Sequence, residues 1–260
     1  MAEPASTVLV DIDGPIATVT MNRPERRNSI AGTMMAEMNR TLTLLASRDD
    51  VRVVVLRGMG RDFCPGADID ATANGSNTGN VREPLRFDTP VLLHNMPAVT
   101  IAAIDGACAG AGFGWACACD LRLATTTAKF NTAFLDVGVA GDMGGPWTLP
   151  RLVGAAKARE LYFLPGKFDA AQALAIGLVS QVIPHAEFDA EIRRLAKRLA
   201  SAAPLALKAM KANFLAAERM GFADYIDLES RVHVDLFKTE DTREAFRAKA
   251  EKRAPVYKGR

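Results

Sequence analysis

Two small-residue stretches and one isolated aspartate are the parts of this 260-residue chain whose composition and spacing suit them to chemistry. The first stretch, Ala102-Ala-Ile-Asp-Gly-Ala-Cys-Ala-Gly-Ala-Gly-Phe-Gly114, carries an apolar run to Asp105-Gly106. It then continues in residues with almost no side chain, centred on Gly110-Ala111-Gly112. Glycine permits positive φ and the close approach of another backbone or a ligand. A strand, a tight turn and a helix start leave N–H groups without acceptors, aimed at one spot. Such a spot stabilises negative charge on an oxygen, which enolate and acyl-transfer chemistry require. The plainer alternative is a close-packed strand–helix turn with no ligand. The second stretch, Arg61-Asp-Phe-Cys-Pro-Gly-Ala-Asp-Ile69, contains Gly66-Ala67-Asp68 and follows the apolar run Val51 to Leu56. Two such turns on neighbouring strands can each give one N–H to a shared oxygen. Converging donors make an oxyanion hole.

The elements that must position these turns follow from local pattern. Val8 to Asp11 and Ile16 to Met21 are β-rich runs around Asp13-Gly14-Pro15, a hairpin signature. Met34, Met35, Met38, Leu42 and Leu45 recur at helical spacing between Thr33 and Ser47. Val51 to Leu56, Val99 to Ile104 and Leu121 to Ala124 are predicted strands; Glu83 to Asn95 and Gly112 to Ala118 are predicted helices. Gly58 to Gly66 and the Gly/Asn/Thr/Ser-rich Ala71 to Asn80 are predicted loops. Strand–helix alternation implies right-handed crossovers and a covered parallel sheet. After about Pro150 the chain reads as helical (Ala155 to Phe163, Ala170 to Ile176, Phe188 to Ala200, Leu205 to Met220, Ala223 to Phe246), broken by a short strand at Leu178 to Ile183. The expected class is α/β, with residues 1–200 as the core domain and 201–260 as a helical C-terminal domain.

A net charge of +2 gives no basic field for nucleic acid. Cys64, Cys108, Cys117 and Cys119 lie mostly in small-residue, apolar sequence, without the second pair or nearby His of a zinc site; no metal is expected, and reduced thiols fit a cytosolic protein. The N-terminal residues Glu3, Asp11 and Asp13 do not suit a signal peptide. Asp105-Gly106 splits the apolar run Met96 to Cys119, which reads as a buried strand–turn–helix and not as a membrane span. The expectation is a soluble, cytoplasmic protein with no nucleic-acid or membrane partner.

The ordered motifs along the chain resemble the crotonase superfamily, the enoyl-CoA hydratase/isomerase family. They are Asn22-Arg-Pro-Glu-Arg-Arg-Asn28, Val53-Val-Val-Leu-Arg-Gly58 with Gly60 to Asp68, and Ile101-Ala-Ala-Ile-Asp-Gly106 with Gly110-Ala-Gly112. Asp120-Leu-Arg-Leu-Ala124, Ala128-Lys-Phe130, Gly144-Gly145, Leu149-Pro-Arg-Leu-Val-Gly154, Gly177-Leu-Val179 and Glu251-Lys-Arg253 follow in order. The resemblance implies a spiral of β-β-α units with a helical C-terminal trimerisation region, assembling as a homotrimer or dimer of trimers. It also implies an acyl-CoA substrate, with coenzyme A entering only as part of the thioester and no permanently bound cofactor. On this pattern the thioester oxygen takes N–H bonds from Ala67 and Ala111, and Arg26, Asp68, Ile69, Asp70, Gly110, Gly114, Phe134 and Lys252 line the CoA and acyl site. Phenylacetate-pathway ring-opening epoxyphenylacetyl-CoA isomerases are the nearest members in motif.

The departures from the family pattern decide the chemistry. Hydratases place one glutamate where this chain has Gly114 and a second where it has Phe134, so a two-glutamate hydratase is not expected. Asp142, in Val139-Ala-Gly-Asp-Met-Gly-Gly-Pro-Trp147, stands where the ring-opening isomerases carry their acid/base and where some dehalogenases carry a nucleophile. The same Asp could instead cap the following helix. In an apolar pocket lined by Phe134, Phe113 and Trp147, a carboxylate would have a raised pKa and could move a proton between two carbons. The histidines His94, His185 and His233 are assigned surface or core roles, and Cys64 a packing role. The leading expectation is an acyl-CoA isomerase. A hydratase, lyase, hydrolase or dehalogenase on the same scaffold, and a non-catalytic acyl-CoA binder, are the alternatives.

Overall fold

The computed structural model describes residues 6–31, 33–74 and 88–260. The first part of the helix read from Glu83 and the later part of the loop read from Ala71 lie outside them. The strands are β1 (Val8–Asp13), β2 (Ile16–Met21), β3 (Val53–Gly58), β4 (Val99–Ile104), β5 (Ala107–Ala109), β6 (Leu121–Thr125), β7 (Lys129–Asn131), β8 (Phe168–Asp169) and β9 (Gln181–Ile183). The helices are α1 (Met34–Ala46), α2 (Ile69–Ala73), α3 (Asp88–Asn95), α4 (Gly110–Ala118), α5 (Gly145–Val153), α6 (Ala155–Phe163), α7 (Ala170–Ala175), α8 (His185–Ala200), α9 (Pro204–Ala217), α10 (Phe222–Phe237) and α11 (Glu240–Ala250).

The main sheet runs β1-β2-β3-β4-β6-β9, antiparallel at the β1–β2 hairpin and parallel from β2 onward. Its central strands are buried on both faces, which is why β3 and β4 read as continuous apolar runs. The period of two still sorts their side chains. Val53, Val55, Ile101 and Ala103 pack with Phe188, Ile192 and Ala196 of α8. Val54, Leu56, Ala102 and Ile104 pack on the opposite side with Met38 and Leu42 of α1 and Trp115 of α4.

A second sheet, β5-β7-β8, stands beside the glycine turn, and the Cys64↔Cys108 bridge ties the Arg61–Ile69 stretch to it. These strands are too short for a sequence pattern to reveal. Other boundaries shift for stated reasons. The third strand extends to Gly58 because Arg57 and Gly58 register with Thr20 and Met21. Ala71–Ala73 are helical, not loop. The run Ala223 to Phe246 divides into α10 and α11 because Thr239 accepts a bond from Thr242 N–H and starts a new helix. The late strand shortens to Gln181–Ile183. Among the described residues no helix is long and apolar enough to cross a membrane, and all four cysteines are free and buried.

Candidate active site

The two small-residue turns meet. Phe63 N–H donates to Asp105 C=O, Cys64 N–H to Ala107 C=O and Ala109 N–H to Cys64 C=O, at 2.7, 2.8 and 2.9 Å, so the two stretches run as paired strands toward their glycines. Gly66, at φ +101°, lies so close to the other turn that a Cβ there would be 3.1 Å from Ala109 O and 3.4 Å from Ala111 N. On its far side the same turn bridges Ile30: Ile30 N–H donates to Gly66 C=O and Asp68 N–H donates to Ile30 C=O. Ladder geometry therefore turns the Ala67 N–H away from Ile30. Ala111 is in the first turn of α4, where amides have no intrahelical acceptor. Neither the Ala67 nor the Ala111 N–H has an acceptor among the described residues.

Beneath the Ala67 turn a charged clamp holds it in place. Asp68 is buried; its carboxylate accepts from Arg23 Nη2 at 3.1 Å, Arg26 Nη2 at 3.0 Å, Ser29 Oγ at 3.2 Å and Ala71 N–H at 3.2 Å. Arg26, followed by the Ala71 N–H and Arg23 contacts, holds this carboxyl far below the usual range against the opposing effect of burial. Arg26 also reaches the exposed Asp70 at 2.8 Å. Buried Asn28, at φ +62°, anchors the arginine-bearing loop through Nδ2 bonds to the carbonyls of Met59 and Asp62. Thus Arg26, Asp68 and Asp70, read from sequence as lining the CoA site, form one ion-pair cluster that shapes the Ala67 turn. Ile69 is exposed at the start of α2, and Lys252 is exposed after α11, outside this cluster's bonds.

Across α4 lies the Asp142 loop. Gly141, Met143 and Gly144 all have positive φ (108°, 54° and 71°), which wraps the loop tightly against α4. Met143 is buried there: its Sδ accepts from Trp115 Nε1–H at 3.2 Å, and its Cβ would be 2.5 Å from a Cβ on Gly114. A glutamate at position 114 has no room while Met143 holds its place. Gly114 is three residues after Ala111, roughly 4.5 Å along the helix, so the loop meets α4 about one turn beyond the Ala111 amide. Phe134, the second departure, is buried and stacks on Tyr162 with ring centroids 6.1 Å apart. Phe113, expected to line the Asp142 pocket, instead turns into the core against Phe168; a buried helix start offers that ring more apolar contact there.

Asp142 does not cap α5. The N-cap is Gly144, with no side-chain cap bond, and Asp142 Oδ1 is fully buried without a hydrogen-bond partner. Burial pushes its carboxyl above the ordinary carboxylate range. Its residue lines a cavity of about 590 Å³ together with Met143, Val91, Trp147, His94 and Arg219. His94 packs edge-on to Trp147 at 5.1 Å and its Nε2 meets Glu218 at 3.0 Å, while Arg151 lies 3.8 Å over the same indole. His94, assigned a surface or core role from sequence, lines the cavity, and Tyr162 escapes sequence reasoning; each owes its place to a segment distant in the chain, Glu218 after α9 for His94 and the packing of α6 on the loop for Tyr162. The helical period of α3, with Pro90, Leu93 and His94 on adjoining faces, is the signal that could have flagged His94.

The thiols are no nucleophiles: burial pushes Cys64, Cys117 and Cys119 up to about 12. Among the described residues no group of three His, Cys, Asp or Glu could hold a metal.

The parallel sheet thus brings the two small-residue turns together, with the Asp142 loop packed on the helix that follows one of them. The chain belongs to the enoyl-CoA hydratase/isomerase family, whose pattern matches residues 11–260. It is similar to the 1,2-epoxyphenylacetyl-CoA isomerase of Escherichia coli, 33% identical over 97% of this chain and 98% of that one. It is also similar to the (E)-benzylidenesuccinyl-CoA hydratase of Thauera aromatica, 34% identical over 97% of this chain and 99% of the other. The crystal structure of an enoyl-CoA hydratase from Bacillus anthracis superposes with a TM-score of 0.92 at 28% identity, covering 98% of this chain and 100% of that chain. The fold is the crotonase fold with a helical C-terminal region.

Proposed function

We propose that this protein is an acyl-CoA isomerase that shifts a double bond through an enolate, with Asp142 as the single proton-transfer group. The observation that carries this is the Asp142 carboxylate: partly buried, unpartnered at Oδ1, and beside the Ala111 turn, while both hydratase glutamate positions hold Gly114 and Phe134. The thioester oxygen of the acyl-CoA substrate would accept the Ala67 and Ala111 N–H bonds. The α-carbon gives its proton to Asp142, the electron pair moves onto that oxygen, and the two donors stabilise the charge that develops. Donors of this kind lower the barrier by about 3 kcal/mol each. Asp142 then returns the proton to the γ-carbon as the double bond moves. A carboxyl with a raised pKa suits both halves, being a stronger base when ionised and a competent acid when protonated.

The test is isotopic. In heavy water the protein should catalyse deuterium entry at the α and γ carbons of a β,γ-unsaturated acyl-CoA, and Asp142→Asn should lose that exchange while still binding the thioester. Exchange undiminished in Asp142→Asn, or efficient hydration of a short α,β-unsaturated acyl-CoA by the wild type, would sink the mechanism.

We also infer self-association. Helices α9 to α11 leave Met210, Phe214, Phe222, Ile226, Phe237 and Phe246 exposed, more apolar surface than a solvated appendage carries. Further copies would cover it in a trimer or dimer of trimers. A monomer in sedimentation at micromolar concentration would contradict this.

A further inference from the structure

We propose that Tyr162 is a positioning residue for Asp142, its hydroxyl donating to Asp142 Oδ1, directly or through one buried water, when the carboxylate is ionised. Among the described residues two buried side-chain polar atoms lack any hydrogen-bond partner, and they are Asp142 Oδ1 and Tyr162 Oη. Leaving such an atom unpaired costs on the order of 1–3 kcal/mol, so folded proteins keep few of them, and those few call for a water or a functional partner. Here the two are chemically complementary. A phenol O–H is a donor and an ionised carboxylate is an acceptor.

Both groups also press on one loop. The Tyr162 ring packs at Gly141, where a Cβ would be 3.3 Å from Cε1, and its hydroxyl lodges at Gly145, where a Cβ would be 1.7 Å from Oη. Glycine on both sides of Asp142 is what lets the phenol reach this loop. Phe134 stacks on the ring and fixes its plane. Burial above all holds the phenol proton on, with Cys117 and then Asp142 adding to it. Among the described residues the neighbouring groups are otherwise engaged. Cys117 of α4 is a buried neutral thiol, His94 of α3 is engaged by Glu218, and Arg151 lies over Trp147. Arg219 lines the far wall of the cavity and has no bond to Asp142.

The link itself does not require the isomerase reading; only its catalytic consequence rests on it. The deciding experiment follows the Asp142 carboxyl carbon by ¹³C NMR across pH in the full chain, assigned by its disappearance in Asp142→Asn. Tyr162→Phe removes one oxygen and no packing. Its Asp142 midpoint should rise by on the order of one pH unit, the worth of one hydrogen bond to a charged group. Gly145→Ala, which displaces the hydroxyl but keeps it in the chain, should raise the midpoint in the same direction. Equal midpoints in wild type and Tyr162→Phe would overturn the proposal. In the deuterium exchange assay Tyr162→Phe should lose about tenfold in kcat with KM unchanged, and should add no loss to Asp142→Asn. A full additional loss in the double variant would also overturn it. An active Asp142→Asn would overturn the isomerase reading, and the midpoints would still decide the link.

Discussion

Two aspartates, one beneath the Ala67 turn and one in the loop packed on α4, are treated in opposite ways. Asp68, beneath the Ala67 turn, is buried but saturated with donors from Arg23, Arg26, Ser29 and Ala71. Asp142, across α4, is less buried yet has an oxygen with no partner at all. The first carboxyl is driven down by Arg26 and its neighbours, the second up by burial. Depth therefore matters less than the supply of donors. A carboxylate that must hold a turn rigid is fully paired. The Asp142 carboxylate has far fewer donors, and on the reading proposed above its one partner is the Tyr162 hydroxyl, which leaves it free to gain and lose a proton.

The comparison is most sharply broken at Asp142. Asp142→Asn should lower turnover by roughly 10²–10⁴-fold, the usual contribution of a general acid–base group, with acyl-CoA affinity kept. Isothermal titration alongside the exchange assay separates the two effects.

Next in size is Gly66→Ala. At φ +101° and with a Cβ 3.1 Å from Ala109 O, alanine must push the two turns apart. A loss of about 10²-fold in turnover is expected, that of one oxyanion donor. Wild-type rates in this variant would show that the donors do not converge.

Asp68→Asn should lower stability by about 2 kcal/mol, since it weakens several charge-assisted bonds in a buried site. Chemical denaturation reads this directly, and the residual turnover of the folded fraction should exceed that of Asp142→Asn.

The smallest effect is the pH dependence, and its sign differs between the two sites. Asp68 has a folded pKa below its unfolded one, so its contribution is present above the ordinary carboxylate pKa and is lost as pH falls. Asp142 has a folded pKa above its unfolded one, so the folded state binds the proton more tightly. Its burden on stability appears as pH rises through that window and is absent below it. Asp142→Asn should therefore raise Tm at neutral pH, with the gain vanishing in acid, whereas the Tm deficit of Asp68→Asn should shrink in acid.

Much of the scaffold was legible because it depends on local pattern. The hairpin at Asp13-Gly14, the helical period from Met34 to Leu45 and the apolar runs of β3 and β4 each declare themselves within a few residues. The meeting of the two small-residue turns was legible for a related reason: only small residues allow such an approach of backbones, so Gly66 and Gly110 mark it directly. The strands β5, β7 and β8, the Thr239 break and the fate of Phe113 were not, since each is settled by a neighbour distant in the chain.

By itself, then, the sequence determined the family scaffold, the two small-residue turns and the absence of glutamate at positions 114 and 134, because these reside in residue type and in spacing along one strand or turn. Tertiary structure alone decided that Asp142 is no helix cap. The sequence allowed a helix cap or a proton carrier. The folded chain assigns the cap to Gly144, fills the Gly114 gap with Met143, and leaves Asp142 Oδ1 unpartnered near the Tyr162 hydroxyl. Burial and hydrogen-bond supply set the charge of a carboxylate, and both come from segments that meet only when the chain has folded.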